Sequence, residues 1–137
     1  MKQATTVFSV LSAAILSLSL TSCEFNVSTA KIKEARLTKD DAGTQPSTVF
    51  GQKDTIFLKV DLVNAPATTV TAAHWIAVDV DADVPKNHPV QSFDIEHGSG
   101  MLTFNLSTDK QWPIGKYRVD VSLNGETKLS REYTVEE

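Results

Sequence analysis

The side chains most able to do chemistry lie in the middle of the chain. Asp79, Asp81 and Asp83 alternate along Asp79-Val80-Asp81-Ala82-Asp83, and alternate carboxylates can surround a hard cation such as calcium. An EF-hand loop starting at Asp79 needs Gly at its sixth place and Glu at its twelfth. Val84 and Val90 stand there, so a calcium site here would have to be of another type, at the end of a β-structure. The three histidines, His74, His88 and His97, have Asp94 and Glu96 nearby. No two of them show the i, i+2 or i, i+4 spacing of metal ligands, and no cysteine joins them. Gly98-Ser99-Gly100 is shorter than a nucleophile elbow, and no glycine-rich phosphate loop exists. The residues therefore predict neither an enzyme nor a cofactor, and the period-two pattern reads the aspartates as charge on a solvated strand edge that deters stray pairing.

These residues must be positioned by strands. Ile56, Leu58, Val60 and Leu62 alternate with Phe57, Lys59 and Asp61; Tyr117, Val119, Val121 and Leu123 alternate with Arg118, Asp120 and Ser122; Leu102, Phe104 and Leu106 repeat the pattern. Period two is the mark of a half-buried strand. No segment keeps a helical apolar period, and no repeat is visible. The expected strands are Lys31–Thr38, Thr48–Phe50 with Thr55–Val63, Thr69–Val80, Val90–Glu96, Met101–Ser107, Lys116–Leu123 and Thr127–Val135. Asn124-Gly125 tolerates the positive φ angles of a type I′ turn and predicts a hairpin between the last two strands. Gly98-Ser99-Gly100 predicts a second tight hairpin. About seven strands in one small domain is the arithmetic of an all-β, immunoglobulin-like antiparallel sandwich.

Thr69–Val80 departs from the pattern. Ala73, Trp75 and Ala77 occupy its odd positions, and Val70, Ala72, Ile76, Val78 and Val80 its even ones. A sandwich strand buries one face only. Either Trp75 is buried and Ile76 and Val78 face outward beside His74, or the indole itself is exposed. Both outcomes leave apolar surface of the kind that marks contacts, so His74, Ile76 and Val78 are candidate contacts for a protein partner. Trp112, ahead of Pro113 in a loop, is expected to plug an open end of the sandwich.

The chain's 137 residues carry a formal charge of −4, with 41% hydrophobic and 22% charged residues. That balance argues against nucleic acid, whose binding needs clustered basic charge. Lys2 precedes an apolar run from Val7 to Leu20, about 21 Å long as a helix. This is shorter than a bilayer core and suits a signal segment better than a permanent span.

Leu20-Thr21-Ser22-Cys23 follows directly, and resembles the lipobox of bacterial lipoproteins. The resemblance implies cleavage before Cys23 and acylation of that cysteine, and accounts for the sole cysteine of an exported chain. Residues 1–22 then form the signal peptide, 23–29 the lipidated cysteine with a short tether, and 30–137 the domain. Two or three acyl chains hold a small domain on a membrane. Glu24, in place of the Asp that marks inner-membrane retention in Gram-negative members, favours the outer membrane.

Trp75 in the third main strand and Tyr117 after Pro113-Ile114-Gly115 resemble the buried Trp and the tyrosine corner of immunoglobulin-like domains. The antibody-type cysteine pair is missing. Taken with the lipobox, the whole chain resembles small bacterial lipoproteins bearing one such domain. The resemblance implies fold and location, not activity; the lipobox, the β period and the two-sided apolar strand together predict a non-enzymatic interaction module, anchored in the cell envelope and facing the periplasm or exterior, with a membrane partner through the lipid on Cys23 and a protein partner in the envelope. The alternative is a ligand- or calcium-binding envelope module using Asp79–Asp83.

Overall fold

The computed structural model describes residues 29–137; the expected signal segment and Cys23 lie outside the described residues. Eight strands run in the order β1 (Lys31–Thr38), β2 (Val49–Gly51), β3 (Ile56–Val63), β4 (Val70–Val80), β5 (His88–Glu96), β6 (Gly100–Leu106), β7 (Gly115–Leu123) and β8 (Glu126–Glu136). They form a three-stranded sheet, β1-β3-β6, and a five-stranded sheet, β2-β8-β7-β4-β5. The two sheets pack face to face as an immunoglobulin-like β-sandwich, each strand turning its apolar period inward.

The alternation read from the sequence is the alternation of burial. Ile56, Leu58, Val60 and Leu62 of β3 lie beside Leu102, Phe104 and Leu106 of β6 in one sheet, and Val119 and Val121 of β7 with Ala73, Trp75 and Ala77 of β4 come from the other sheet to complete one core. Asn124 and Gly125 both have positive φ, at 49° and 85°, and join β7 to β8 with Leu123 opposite Glu126, the expected hairpin.

Two expectations are corrected. The sandwich is not wholly antiparallel: β2, read as a companion of β3, pairs parallel with β8, Val49 opposite Thr134 and Phe50 opposite Val135. The turn Gln52 to Thr55 separates β2 from β3 and sends them to different sheets, adding an eighth strand. Gly98-Ser99-Gly100 is likewise no hairpin, because β5 belongs to the five-stranded sheet and β6 to the other. The segment is a corner between layers, held by the Ser99 hydroxyl, which accepts from the Ala65 amide at 2.9 Å.

An aromatic cluster fills the centre. Tyr133 meets Phe50 and Trp75 edge-on, with ring centroids 5.5 and 6.1 Å away, and stacks on Tyr117 at 5.1 Å. The Tyr117 hydroxyl donates to the Pro113 carbonyl at 2.5 Å, the tyrosine corner expected from its placement. The Tyr133 hydroxyl is buried and finds no partner among the described residues. Trp112 closes one end of the sandwich as expected, its indole N–H donating to the Asp54 carbonyl at 2.9 Å.

These two phenols make opposite predictions. Tyr117→Phe loses a made hydrogen bond and is expected to cost about 1 kcal/mol; Tyr133→Phe removes an unpaired buried hydroxyl and is expected to cost nothing or to gain up to about 1 kcal/mol. Urea titrations of both variants check this.

Burial also pushes the Tyr117 phenol up to about 12, and pushes Tyr133 still further, with Tyr117's charge a second cause. The unfolded chain releases these protons near pH 10 and the folded chain holds them longer, so the unfolded state binds fewer protons above that point. Stability is then complete below about pH 10 and falls as pH rises from there, by about 1.4 kcal/mol per unit for each tyrosine. Urea midpoints at about pH 9 and about pH 11 measure the loss, and Tyr133→Phe is expected to reduce the slope.

Candidate functional site: the outer face of the five-stranded sheet

Which side of β4 faces solvent is decided by Trp75, which is 1% exposed. Its burial takes Ala73 and Ala77 inward with it, and leaves Val70, Ala72, His74, Ile76 and Val78 half-buried on the outer face. His74, Ile76 and Val78, the candidate contacts, therefore share one surface.

The sheet register sets their neighbours. His74 lies opposite Asp120 of β7 and Ser92 of β5. Its Nδ1 is 2.9 Å from the Ser92 hydroxyl and its Nε2 is 3.4 Å from that of Ser122. Beside it, Ile76 lies opposite Arg118, whose guanidinium donates to Asp120 at 2.9 Å and reaches Asn87 at 3.4 Å. Asp120 also accepts from the Ser130 hydroxyl at 2.5 Å. One flank of the face is thus a polar row with its charges internally matched. The other flank is a shallow groove of about 560 Å³, where Val78 and Val49 meet the stems of Lys116 and Glu132. Val49 is 41% exposed, and β7 and β8, carrying Lys116, Glu132 and Thr134, lie between it and Val78, so apolar side chains stand at both borders of the groove.

The remaining sequence candidates are dispersed. His88 opens β5 and His97 follows its end, where its Nδ1 contacts the Gly98 carbonyl at 2.9 Å. Asp94 and Glu96 stand on β5 opposite Ala72 and Val70. Asp79, next to last in β4, pairs with Lys86 at 3.7 Å, both well exposed. Asp81 and Asp83 lie beyond β4 in an exposed loop rather than on a strand edge. Among the described residues no three His, Cys, Asp or Glu side chains group as a metal site.

Sequence reasoning missed the Arg118–Asp120–Ser130 row, since β7 and β8 place Asp120 opposite Ser130 only through the hairpin register. It also missed Val49, which joins the face only because β2 crosses to β8. Arg118 and Asp120 were visible as the outward set of their strand, and that was the available signal.

No protein-family model matches the chain, and no curated protein matches it. Among solved structures it is similar to the alkylpurine DNA glycosylase of Pseudomonas fluorescens, bound to DNA containing an abasic site analog, at 19% identity and a TM-score of 0.53. That match covers 79% of this chain and 30% of the glycosylase. A β-glucosidase of Listeria innocua in complex with glucose matches at 14% identity and a TM-score of 0.50, over 80% of this chain and 16% of the enzyme. An immunoglobulin-like protein of Pseudomonas aeruginosa matches at 13% identity and a TM-score of 0.47, over 78% of this chain and 96% of that one. The chain spans well under two thirds of the two enzymes, and at these identities the likeness is one of fold.

Since Asp79 is occupied by Lys86 and the three aspartates do not group, millimolar calcium is expected to produce no binding heat and no rise in melting temperature. Calorimetry reads the first and a thermal melt the second.

Proposed function

We propose that the chain is a lipid-anchored, non-enzymatic docking module of the cell envelope, binding a protein partner through the outer face of its five-stranded sheet. The observation that carries this reading is the outward apolar pair Ile76 and Val78 on β4, with Val49 across a groove, beside a polar row. Apolar surface rimmed by polar groups is the anatomy of a protein contact. The His74 cluster fits such a surface better than a catalytic one. Its two serine hydroxyls satisfy both ring nitrogens, while the backbone N–H groups around it on β4 and β7 are engaged in the sheet ladder and cannot serve as oxyanion donors.

The anchor reading rests on the lipobox, and the fold is compatible with it. The Thr29 hydroxyl donates to the Asn64 carbonyl at 2.8 Å, where the domain begins. Residues 24–29 extend at most about 21 Å, so lipid on Cys23 would hold the end bearing Asn64, Ser99 and Asn124 close to the membrane. The β4 face would then stand upright from it, in reach of a partner anchored in the same membrane. Outer-membrane sorting follows from Glu24 on the same reading.

Cys23→Ala is expected to abolish acyl incorporation and move the protein to the soluble fraction, as mass spectrometry of the N-terminal peptide and membrane fractionation would read. A photoreactive residue at position 76 is expected to crosslink one specific envelope protein, and Ile76→Glu to abolish co-purification of that protein without changing the melting temperature. Recovery of the chain with no companion at either step would sink the docking reading.

A further inference from the structure

The seam where β1 of one sheet passes β8 of the other carries a second feature, apart from the β4 face. Among the strands β1 pairs only with β3, and its far border meets a single bridge, from Thr38 to Pro46. Ala35 and Leu37 lie opposite Val60 and Leu58, yet their carbonyls turn away from β3. That of Ala35 accepts from Arg131 Nε at 2.9 Å, and that of Leu37 from the Ser47 amide at 3.1 Å. In an antiparallel ladder a residue's N–H points the same way as its C=O. The Ala35 and Leu37 N–H groups therefore face the same border, and neither has a hydrogen-bond partner among the described residues.

Arg131 is the unusual residue of this seam. It lies opposite the buried Val119, at an inward position of β8, whereas Glu132 lies opposite Arg118 at an outward one. The guanidinium spends Nε on Ala35 and Nη1 on the Ser130 carbonyl at 3.0 Å, and forms no ion pair among the described residues. Arg36 brings a second guanidinium, paired at 3.4 Å with the exposed Glu34. Around these groups runs a cleft of about 400 Å³, lined by Ala35, Arg36, Leu37, Pro46, Arg131 and Glu132 among others.

The chemistry of the cleft is one-sided. Its backbone acceptors at Ala35 and Leu37 are taken, while two amide N–H groups and the remaining N–H groups of Arg131 are open. The one acidic residue of the lining stands at the outward position of β8. Donors and positive charge together select a ligand that only accepts, which is an anion. The occupied carbonyls also exclude an added strand, whose pairing needs both donors and acceptors. A guanidinium fork matches the two oxygens of a carboxylate, and Ala35, Leu37 and Pro46 give the rest of the ligand apolar walls. The volume falls within the range of small-ligand sites, about 300 Å³ and upward.

We propose that this seam binds a carboxylate carried on a short aliphatic body, the carboxylate meeting Arg131 and Arg36 and the body resting against Leu37 and Pro46. The free C-terminus of a peptide and a small organic acid share this chemistry. Arg131 and the β4 face lie on opposite sides of the five-stranded sheet, so either reading can fail alone.

The test uses the isotopically labelled full chain in a non-ionic detergent, titrated with acetyl-Ala-Leu as the free acid and followed by NMR at the Ala35 and Leu37 amides and the Arg131 Nε–H. Saturable shifts at these groups are expected, and acetyl-Ala-Leu-amide, which lacks the carboxylate, is expected to bind far more weakly. Arg131→Gln and Arg36→Gln, the second of which leaves the bond to Ala35 in place, are each expected to weaken binding about fivefold at low salt. About 0.5 M sodium chloride is expected to weaken the wild type similarly. Isocaproate separates the two sources: binding as tight as the peptide's or tighter assigns the seam to a small acid, and weaker binding assigns it to a chain terminus. Absence of saturable shifts, equal binding of the amide, equal binding of inorganic phosphate, or full affinity in both arginine variants would each overturn the proposal.

Discussion

Burial of the Trp75 indole is the constraint from which the rest of the molecule follows. A strand has two faces and a two-layer sandwich covers one of them, so committing the indole to the aromatic cluster commits every other residue of β4. Ala73 and Ala77 go inward beside it, small enough to leave room for the rings of Tyr117 and Tyr133. Val70, Ala72, His74, Ile76 and Val78 go outward with no layer to cover them. The core and the candidate contact surface are two sides of one choice, and the hydrophobic composition of β4 needs no explanation beyond that choice and its unburied half.

Much of this was legible from residue order, and what was not has a common cause. Period two is local, so β3, β6 and β7 could be read from their own side chains, and Asn124-Gly125 specified its hairpin because φ is a property of the turn itself. Tyr117 and Trp112 were legible for a related reason: each is tied to a backbone carbonyl in a loop near its own strand or at the sandwich end it closes. The destination of a strand after a corner is not local. Gly98-Ser99-Gly100 has the composition of a tight turn whether the chain returns beside β5 or crosses to the other layer, and the crossing is decided by which sheet has an edge free for β6. β2 was misplaced similarly, since three residues have no measurable period and its parallel partner lies more than eighty positions away.

The candidate surface divides along the same line. His74, Ile76 and Val78 could be grouped from one strand, and the ambiguity about their direction was resolved by Trp75. The polar row of Arg118, Asp120 and Ser130 needed the β7–β8 register, and the Val49 flank needed the unusual route of β2. The aspartates show the opposite error. Alternation along Asp79-Val80-Asp81-Ala82-Asp83 places like groups on one face only while the chain remains a strand, and β4 ends at Val80. Past that point Asp81 and Asp83 lie in an exposed loop, and Ala82 and Val84 line a cleft with Trp112.

The short parallel pairing of β2 with β8 has a consequence for polymer growth. It caps one border of the five-stranded sheet near Val135, leaving β5 as the long open border of that sheet, and β5 carries Pro89 and an irregular register at its own start. A foreign extended segment laid against β5 would lengthen the sheet by one strand, whereas on the opposite border β2 runs along only Thr134 to Glu136 of β8 and leaves a step in the edge. Edge-to-edge stacking of identical copies through this sheet would therefore join unlike borders, the one broken at Pro89 and the other stepped at β2, and a poor match between edges works against polymer growth.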